Sequence, residues 1–109
     1  MLEQDGWDIE LGPGIKDGGV DILARKYDRV YGKIMTIWQA KKLERGNKVG
    51  ISTIRELADT RNELKASKGI IVTSSYLTRG AIERIVRDEY LLGKVDGDDL
   101  RNWIACYRK

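Results

Sequence analysis

The chain has 109 residues, of which 41% are hydrophobic and 34% charged, with a formal net charge of +3. This length and composition favour one globular domain and exclude a disordered chain, and no apolar run approaches the roughly 18–20 residues of a membrane span. Histidine is absent and cysteine occurs once, which excludes a Ser-His-Asp triad, a Cys-His pair, a His-ligated or Cys-rich metal site and an internal disulfide.

The first half of the chain predicts strands. Residues 2–6 are expected to be the end of a helix that begins before residue 1, and residues 7–11 a short strand. Two longer strands are predicted at residues 18–26 and 33–43, joined by a turn at residues 27–32. Residues 44–50 are polar and predict a loop.

From Ile51 the hydrophobic period becomes helical. Three amphipathic helices are predicted, with apolar stripes at Ile51, Ile54, Leu57, Ala58 and Leu64, at Ala81, Ile82, Ile85, Val86 and Tyr90, and at Leu100, Trp103, Ile104 and Tyr107. The first should end at Ser67-Lys68-Gly69, and the others should be capped by Thr78 and Asp96. Strands are predicted at residues 69–73 and 92–95.

This order of elements predicts the fold class. Hairpin strands first and helix-linked strands later indicate an α/β domain with a mixed central sheet of about five strands, flanked by helices. All of residues 1–109 are expected to form this single domain.

Three polar residues should meet at one end of the predicted hairpin. Gln39 and Lys41 are two apart and point to the same face. If the turn centres on Val30, paired residue numbers sum to 60 and Asp21 lies opposite Gln39, with Lys41 as its diagonal neighbour. A bulge would shift this register by one residue, and Asp17 would then have to be considered as the partner.

The three polar groups lie on a hairpin that is otherwise apolar on both faces. Burying them without partners is costly. One interpretation is structural, in which Asp21 and Lys41 pair and Gln39 bridges them. We favour the other, in which a carboxylate, an amide oxygen and a lysine amine bind a hard metal ion and a phosphodiester.

Four ordered segments carry a resemblance to a known family. Asp-Gly-Gly-Val-Asp-Ile (17–22), Trp-Gln-Ala-Lys-Lys (38–42), Lys-Gly-Ile-Ile-Val-Thr-Ser-Ser (68–75) and Leu-Thr-Arg-Gly-Ala (77–81) resemble the catalytic domain of Mrr-like restriction endonucleases. This family is a branch of the PD-(D/E)xK nuclease superfamily. The resemblance extends over about residues 6–103 and implies a restriction-endonuclease-like fold.

The resemblance also implies roles for individual residues. Asp21 resembles the acid that ligates the metal, Gln39 takes the position of the usual Glu, and Lys41 resembles the catalytic lysine. The carbonyl of Ala40 is a further candidate metal ligand. Glu3 in the first helix and Asp17 are kept as additional candidate acids. Lys42, Arg45 and Lys48 follow the motif and are candidates for gripping the DNA backbone, or else form an ordinary solvated loop.

The function implied is a cytoplasmic DNA endonuclease of restriction (Mrr) type that depends on Mg²⁺, with Mn²⁺ as a substitute. The alternatives are a nuclease-derived DNA-binding or assembly module that no longer cuts, and a Holliday junction resolvase. The implied partners are DNA, a second copy of the chain and a fused or separate recognition domain, with no membrane. Neutral Gln39 should weaken metal affinity until a DNA phosphate adds its charge.

Overall fold

A computed structural model describes residues 6–11, 20–41, 43 and 46–107 of the chain. Of residues 106 and 107 it describes the backbone alone. These residues form five strands and three helices in the order β1 (Asp8–Leu11), β2 (Ile22–Asp28), β3 (Gly32–Lys41), α1 (Ile51–Leu64), β4 (Lys68–Thr73), α2 (Arg79–Arg87), β5 (Leu92–Val95) and α3 (Gly97–Tyr107). No helix within the described ranges is long and apolar enough to cross a membrane.

The five strands form one mixed sheet in the order β1-β2-β3-β4-β5. The pairs β1–β2 and β2–β3 are antiparallel, whereas β3–β4 and β4–β5 are parallel and are connected through α1 and α2. The predicted α/β class with a mixed sheet of about five strands is confirmed. β3 therefore lies at the centre of the sheet, between the hairpin half and the parallel half.

The hairpin between β2 and β3 has the predicted register. Tyr27 pairs with Lys33 and Ile22 with Trp38, so that paired residue numbers sum to 60. The Asp28 carboxylate closes the turn by accepting hydrogen bonds from the backbone N–H groups of Val30 (2.7 Å) and Tyr31 (3.1 Å). These two donors lower the pKa of Asp28. A slip of one residue would exchange the two faces of a strand. This turn therefore fixes which side chains of β3 lie beside the start of β2.

The hydrophobic core lies between the sheet and the helices that connect its parallel strands. Its fully buried side chains include Ile37, Ile54, Leu57 and Ile71. Helix and sheet approach closely at Gly69, where an added Cβ would lie 3.1 Å from Cγ of Leu57. The face of β3 that carries Ile37 also carries Gln39 and Lys41, so the helix-covered face leads to the candidate site.

Replacing Leu57 with alanine is expected to lower the free energy of unfolding by about 2–5 kcal/mol, because it removes a fully buried side chain at the tightest helix–sheet contact. Urea unfolding followed by circular dichroism measures the effect. Arg55→Ala, at an exposed position of the same helix, should change stability by no more than about 0.5 kcal/mol. Equal effects of the two substitutions would contradict this packing.

Several predicted boundaries and stripes are wrong. Helix α1 ends at Leu64, with Lys65 as its left-handed C-cap (φ 56°), and Lys68 and Gly69 belong to β4 rather than to a helix stop. The turn predicted at residues 27–32 is shorter than expected, because β2 continues to Asp28 and β3 begins at Gly32. The end of β3 is at Lys41 rather than at residue 43.

The apolar stripe predicted for the second helix is only half buried, and Tyr90 lies beyond the end of α2 at Arg87. Ala81 and Ile85 lie in the core, but Ile82, Val86 and Tyr90 are exposed, with Tyr90 at 85%. In α3, Ile104 is likewise exposed. The caps of both helices are as predicted: Thr78 accepts a hydrogen bond from the N–H of Ala81 (3.2 Å), and Asp96 accepts one from the N–H of Asp99 (3.0 Å).

Candidate functional site

The Asp21 carboxylate is held by the main chain of the neighbouring strand. Its Oδ2 atom accepts a hydrogen bond of 2.7 Å from the backbone N–H of Ala40. Ala40 lies between Gln39 and Lys41 in β3, so this bond places the acid beside both. A carboxylate anchored through one oxygen keeps its second oxygen for another ligand.

Asp21 lies one step out of the ladder register. Its backbone N–H donates to the carbonyl of Trp38 (2.9 Å), although the ladder partner of Trp38 is Ile22. Val20 and Leu23 also enter the same buried core, whereas a regular strand would direct them to opposite faces. These two observations define a bulge at Asp21. The predicted direct pairing of Asp21 with Gln39 is therefore wrong, because Asp21 bonds to Trp38, the residue that also faces Ile22.

Gln39 is buried, with 7% of its surface exposed. Among the described residues no donor reaches its side-chain Oε1 atom, which is fully shielded. A buried oxygen without a partner costs about 1–3 kcal/mol. A cation or another donor at this atom would remove that cost.

Lys41 ends β3 on the same face as Gln39. It is half buried and pairs in parallel register with Thr73, the last residue of β4. Thr73 is itself buried, and its hydroxyl accepts a hydrogen bond from the N–H of Ser75 (3.1 Å). The lysine therefore leaves the sheet at the carboxyl ends of two adjacent parallel strands, where α/β proteins commonly bind ligands.

The donor set suits a magnesium ion more than a softer metal. The described residues contain no group of three or more His, Cys, Asp or Glu side chains that could hold a metal ion without other ligands. Mg²⁺ accepts one or two carboxylates when waters and substrate phosphates complete its shell. The Asp21 carboxylate, the orphaned Gln39 oxygen and the Ala40 carbonyl fit that requirement.

The other predicted site residues fall in different places. Glu3, Asp17, Lys42 and Arg45 lie outside the described residues. Lys48 is exposed and lines a pocket beyond the end of β3.

A cluster of three side chains beside that pocket was not predicted to be functional. The Tyr76 hydroxyl donates to Asp98 (3.2 Å) and accepts from Arg101 (2.6 Å), and Arg101 also pairs with Asp98. These contacts raise the pKa of Arg101, through Tyr76 first and then Asp98. The sequence signal was the position of Tyr76 after a buried strand, but its partners in α3 become visible only in the fold.

A mixed five-strand sheet with an acid, an amide and a lysine at the carboxyl end of its central strand is the architecture expected of a nuclease domain of the restriction-endonuclease type. The chain belongs to the Mrr_cat family, whose model, described as restriction endonuclease, matches residues 1–104. This confirms the family resemblance drawn from the four sequence segments.

Solved structures show the same fold. The restriction endonuclease MspJI in complex with a 27-mer oligonucleotide aligns with a TM-score of 0.67 at 23% identity, covering 91% of this chain and 23% of that one. The DNA modification-dependent restriction endonuclease AspBHI aligns with a TM-score of 0.70 at 22% identity, covering 85% and 24%. AF1548, a protein of unknown function, aligns with a TM-score of 0.63 at 14% identity, covering 85% and 52%.

The chain thus spans about a quarter of the length of the two endonucleases that it matches. A search of curated protein sequences gave no significant match.

Proposed function

We propose that the chain is the catalytic domain of a Mg²⁺-dependent DNA endonuclease of Mrr type that hydrolyses phosphodiester bonds. The observation that carries the proposal is the buried Gln39 oxygen, which has no partner among the described residues and lies next to a carboxylate that the main chain holds in place. Purely structural polar groups would satisfy one another instead.

The residues of the chain have distinct tasks in this reaction. Asp21 and Gln39 hold the cation, with the Ala40 carbonyl as a further ligand. The chemistry that Mg²⁺ supplies when bound is to acidify a water and to neutralise charge on the phosphate. Lys41 orients the attacking water or stabilises the added negative charge as the phosphorus becomes five-coordinate.

DNA is the substrate that the relatives favour. The MspJI structure contains an oligonucleotide, and AspBHI is described as dependent on DNA modification. The net charge of +3 and the exposed Lys48 beside the site are compatible with a polyanion. Sequence or modification recognition is assigned to a separate or fused domain, and cutting of both strands to two copies of this chain.

A second candidate function follows from the same glutamine. A neutral amide in place of a carboxylate removes one negative charge from the metal site, so a domain that binds DNA without cutting it is the alternative.

A plasmid assay separates the two. Supercoiled DNA is incubated with the protein in Mg²⁺, in Mn²⁺ or in EDTA, and binding is measured in parallel. Conversion to nicked circles with metal but not with EDTA supports the endonuclease. Binding without nicking in either metal supports the binding module, and neither binding nor nicking contradicts both.

Replacing Gln39 with glutamate is expected to raise the affinity for Mg²⁺ by at least about tenfold. A unit charge close to a divalent ion is worth several kcal/mol even at an effective dielectric constant of about 20, which exceeds the 1.4 kcal/mol of a tenfold change. Without metal the buried carboxylate should destabilise the fold.

Thermal unfolding across an Mg²⁺ titration measures both effects. The melting temperature of Gln39→Glu should start below that of the parent and rise more steeply with metal. In the parent, added DNA should strengthen Mg²⁺ binding, because a phosphate supplies the missing charge. Equal Mg²⁺ affinities for parent and variant, or equal affinities with and without DNA, would contradict this view of Gln39.

A further inference from the structure

A pocket of about 320 Å³ lies directly beyond the candidate site. Its walls come from the chain after β3 (Leu43 and 46–48) and from the turn after β4 (74–76). This volume is at the small end of ligand sites, which range from about 300 to 1,000 Å³. A volume of this size can take one ring system but not a large cofactor.

The pocket is continuous with the catalytic end of the sheet. Lys41 and Thr73 are ladder partners, and the pocket begins at Ser74 and Leu43, one and two residues further along. The pocket therefore adjoins the end of the two strands at which Lys41 lies. A group bound there would be a neighbour of the phosphate being cut.

The backbone of the pocket is fixed by hydrogen bonds. Ser75 donates its hydroxyl to the carbonyl of Asn47, which joins the two walls. The N–H of Val49 donates to the carbonyl of Tyr76 (2.9 Å), and the N–H of Gly97 donates to that of Ser75 (2.8 Å). A Cβ at position 97 would lie 2.6 Å from the carbonyl oxygen of Ser74, so α3 presses directly on this turn. The pocket is therefore preformed rather than a gap between loose loops.

Tyr76 lines this pocket, and contacts with α3 hold its side chain. It is 39% exposed, and its hydroxyl is held by Arg101 and Asp98. The Arg101 guanidinium lies 6.0 Å from the ring centroid. Tyr76 and Leu43 both line the pocket. Lys48 adds a positive charge at the rim.

We propose that this pocket receives one nucleobase of the cut DNA strand, adjacent to the scissile phosphate, stacked on the ring of Tyr76. The inference rests on the proposed endonuclease function and adds a positioning residue to it. The aromatic wall and the cationic rim suit a nucleotide, whose flat base can stack on an aromatic ring and whose phosphate is anionic. Stacking on an aromatic side chain tolerates any base.

Photocrosslinking tests the proposal. The protein is irradiated with DNA that contains 5-iododeoxyuridine, and the crosslinked peptide is identified by mass spectrometry. We expect a crosslink at Tyr76 that is retained in Tyr90→Ala, an exposed tyrosine before the amino end of β5 and so at the opposite edge of the sheet. Binding of unlabelled DNA should weaken roughly 5- to 150-fold in Tyr76→Ala. Tyr76→Phe, which keeps the ring, should bind like the parent, and circular dichroism verifies that both variants fold.

The outcomes separate this inference from the proposed function. Metal-dependent nicking with crosslinks only outside the pocket, or with unchanged affinity in Tyr76→Ala, overturns the nucleobase pocket and leaves the endonuclease standing. Equal losses in Tyr76→Ala and Tyr76→Phe would assign the effect to the hydroxyl bonds and also overturn it. Absence of both DNA binding and nicking in the parent overturns the two proposals together.

Discussion

Replacing Asp21 with asparagine is expected to reduce DNA nicking by at least about 10²- to 10³-fold, the loss seen when one group that stabilises a transition state is removed. Asparagine has the same shape, and its amide oxygen can still accept the hydrogen bond from Ala40 that now holds the carboxylate. The substitution therefore removes the negative charge while leaving the bulge in place. Without that charge the cation loses the one carboxylate that we assign to its site.

The measurement is the initial rate of nicking at several Mg²⁺ concentrations. Because the defect lies in metal binding, higher Mg²⁺ should restore part of the activity. Asp59→Asn is the matched control, since it makes the same chemical change at an exposed position of α1 and should cut like the parent. An Asp21→Asn protein that nicks at the parental rate would remove Asp21 from the reaction and, with it, the proposed metal site.

Replacing Lys41 with methionine should lower nicking by about 10²- to 10³-fold while leaving Mg²⁺ affinity nearly unchanged. Methionine retains much of the apolar stem that packs at the end of β3 but lacks the ammonium group. The loss should therefore appear in the chemical step rather than in the binding of metal or DNA.

Single-turnover nicking with saturating protein isolates that step, and fluorescence anisotropy gives the affinity for DNA. Lys33→Met is the matched control because Lys33 lies in the same strand, near its opposite end and exposed to solvent. If the two lysine variants behave alike, or if Lys41→Met fails only by losing DNA, then Lys41 contributes general charge rather than catalysis.

The hairpin shows what local sequence can determine. A polar turn between two apolar strands was sufficient to predict the pairing of Tyr27 with Lys33, and that register brings the start of β2 opposite Trp38, next to Gln39. The helix caps at Thr78 and Asp96 were equally predictable, since capping depends on residues three apart in the chain. These features depend on neighbours in sequence.

The misjudged features depend on contacts between distant segments. The bulge at Asp21 is stabilised by a hydrogen bond to Ala40 in the next strand, which no local pattern encodes. The end of α1 was placed too late because Gly69 does not stop a helix. It lies in β4, where the absence of a side chain lets Leu57 pack closely against the sheet. The partnership of Tyr76 with Arg101 likewise appears only once α3 packs beside the turn after β4.

The bond from Ala40 to Asp21 has an implication for divergence. The donor is an amide of the peptide chain, so nineteen of the twenty amino acids at position 40 would provide it and only proline, which lacks the N–H, would not. The orientation of the Asp21 carboxylate thus depends on the path of the backbone and not on which side chain occupies position 40. Substitutions at position 40 can leave this hydrogen bond intact, so a comparison of residue types among relatives would not reveal it.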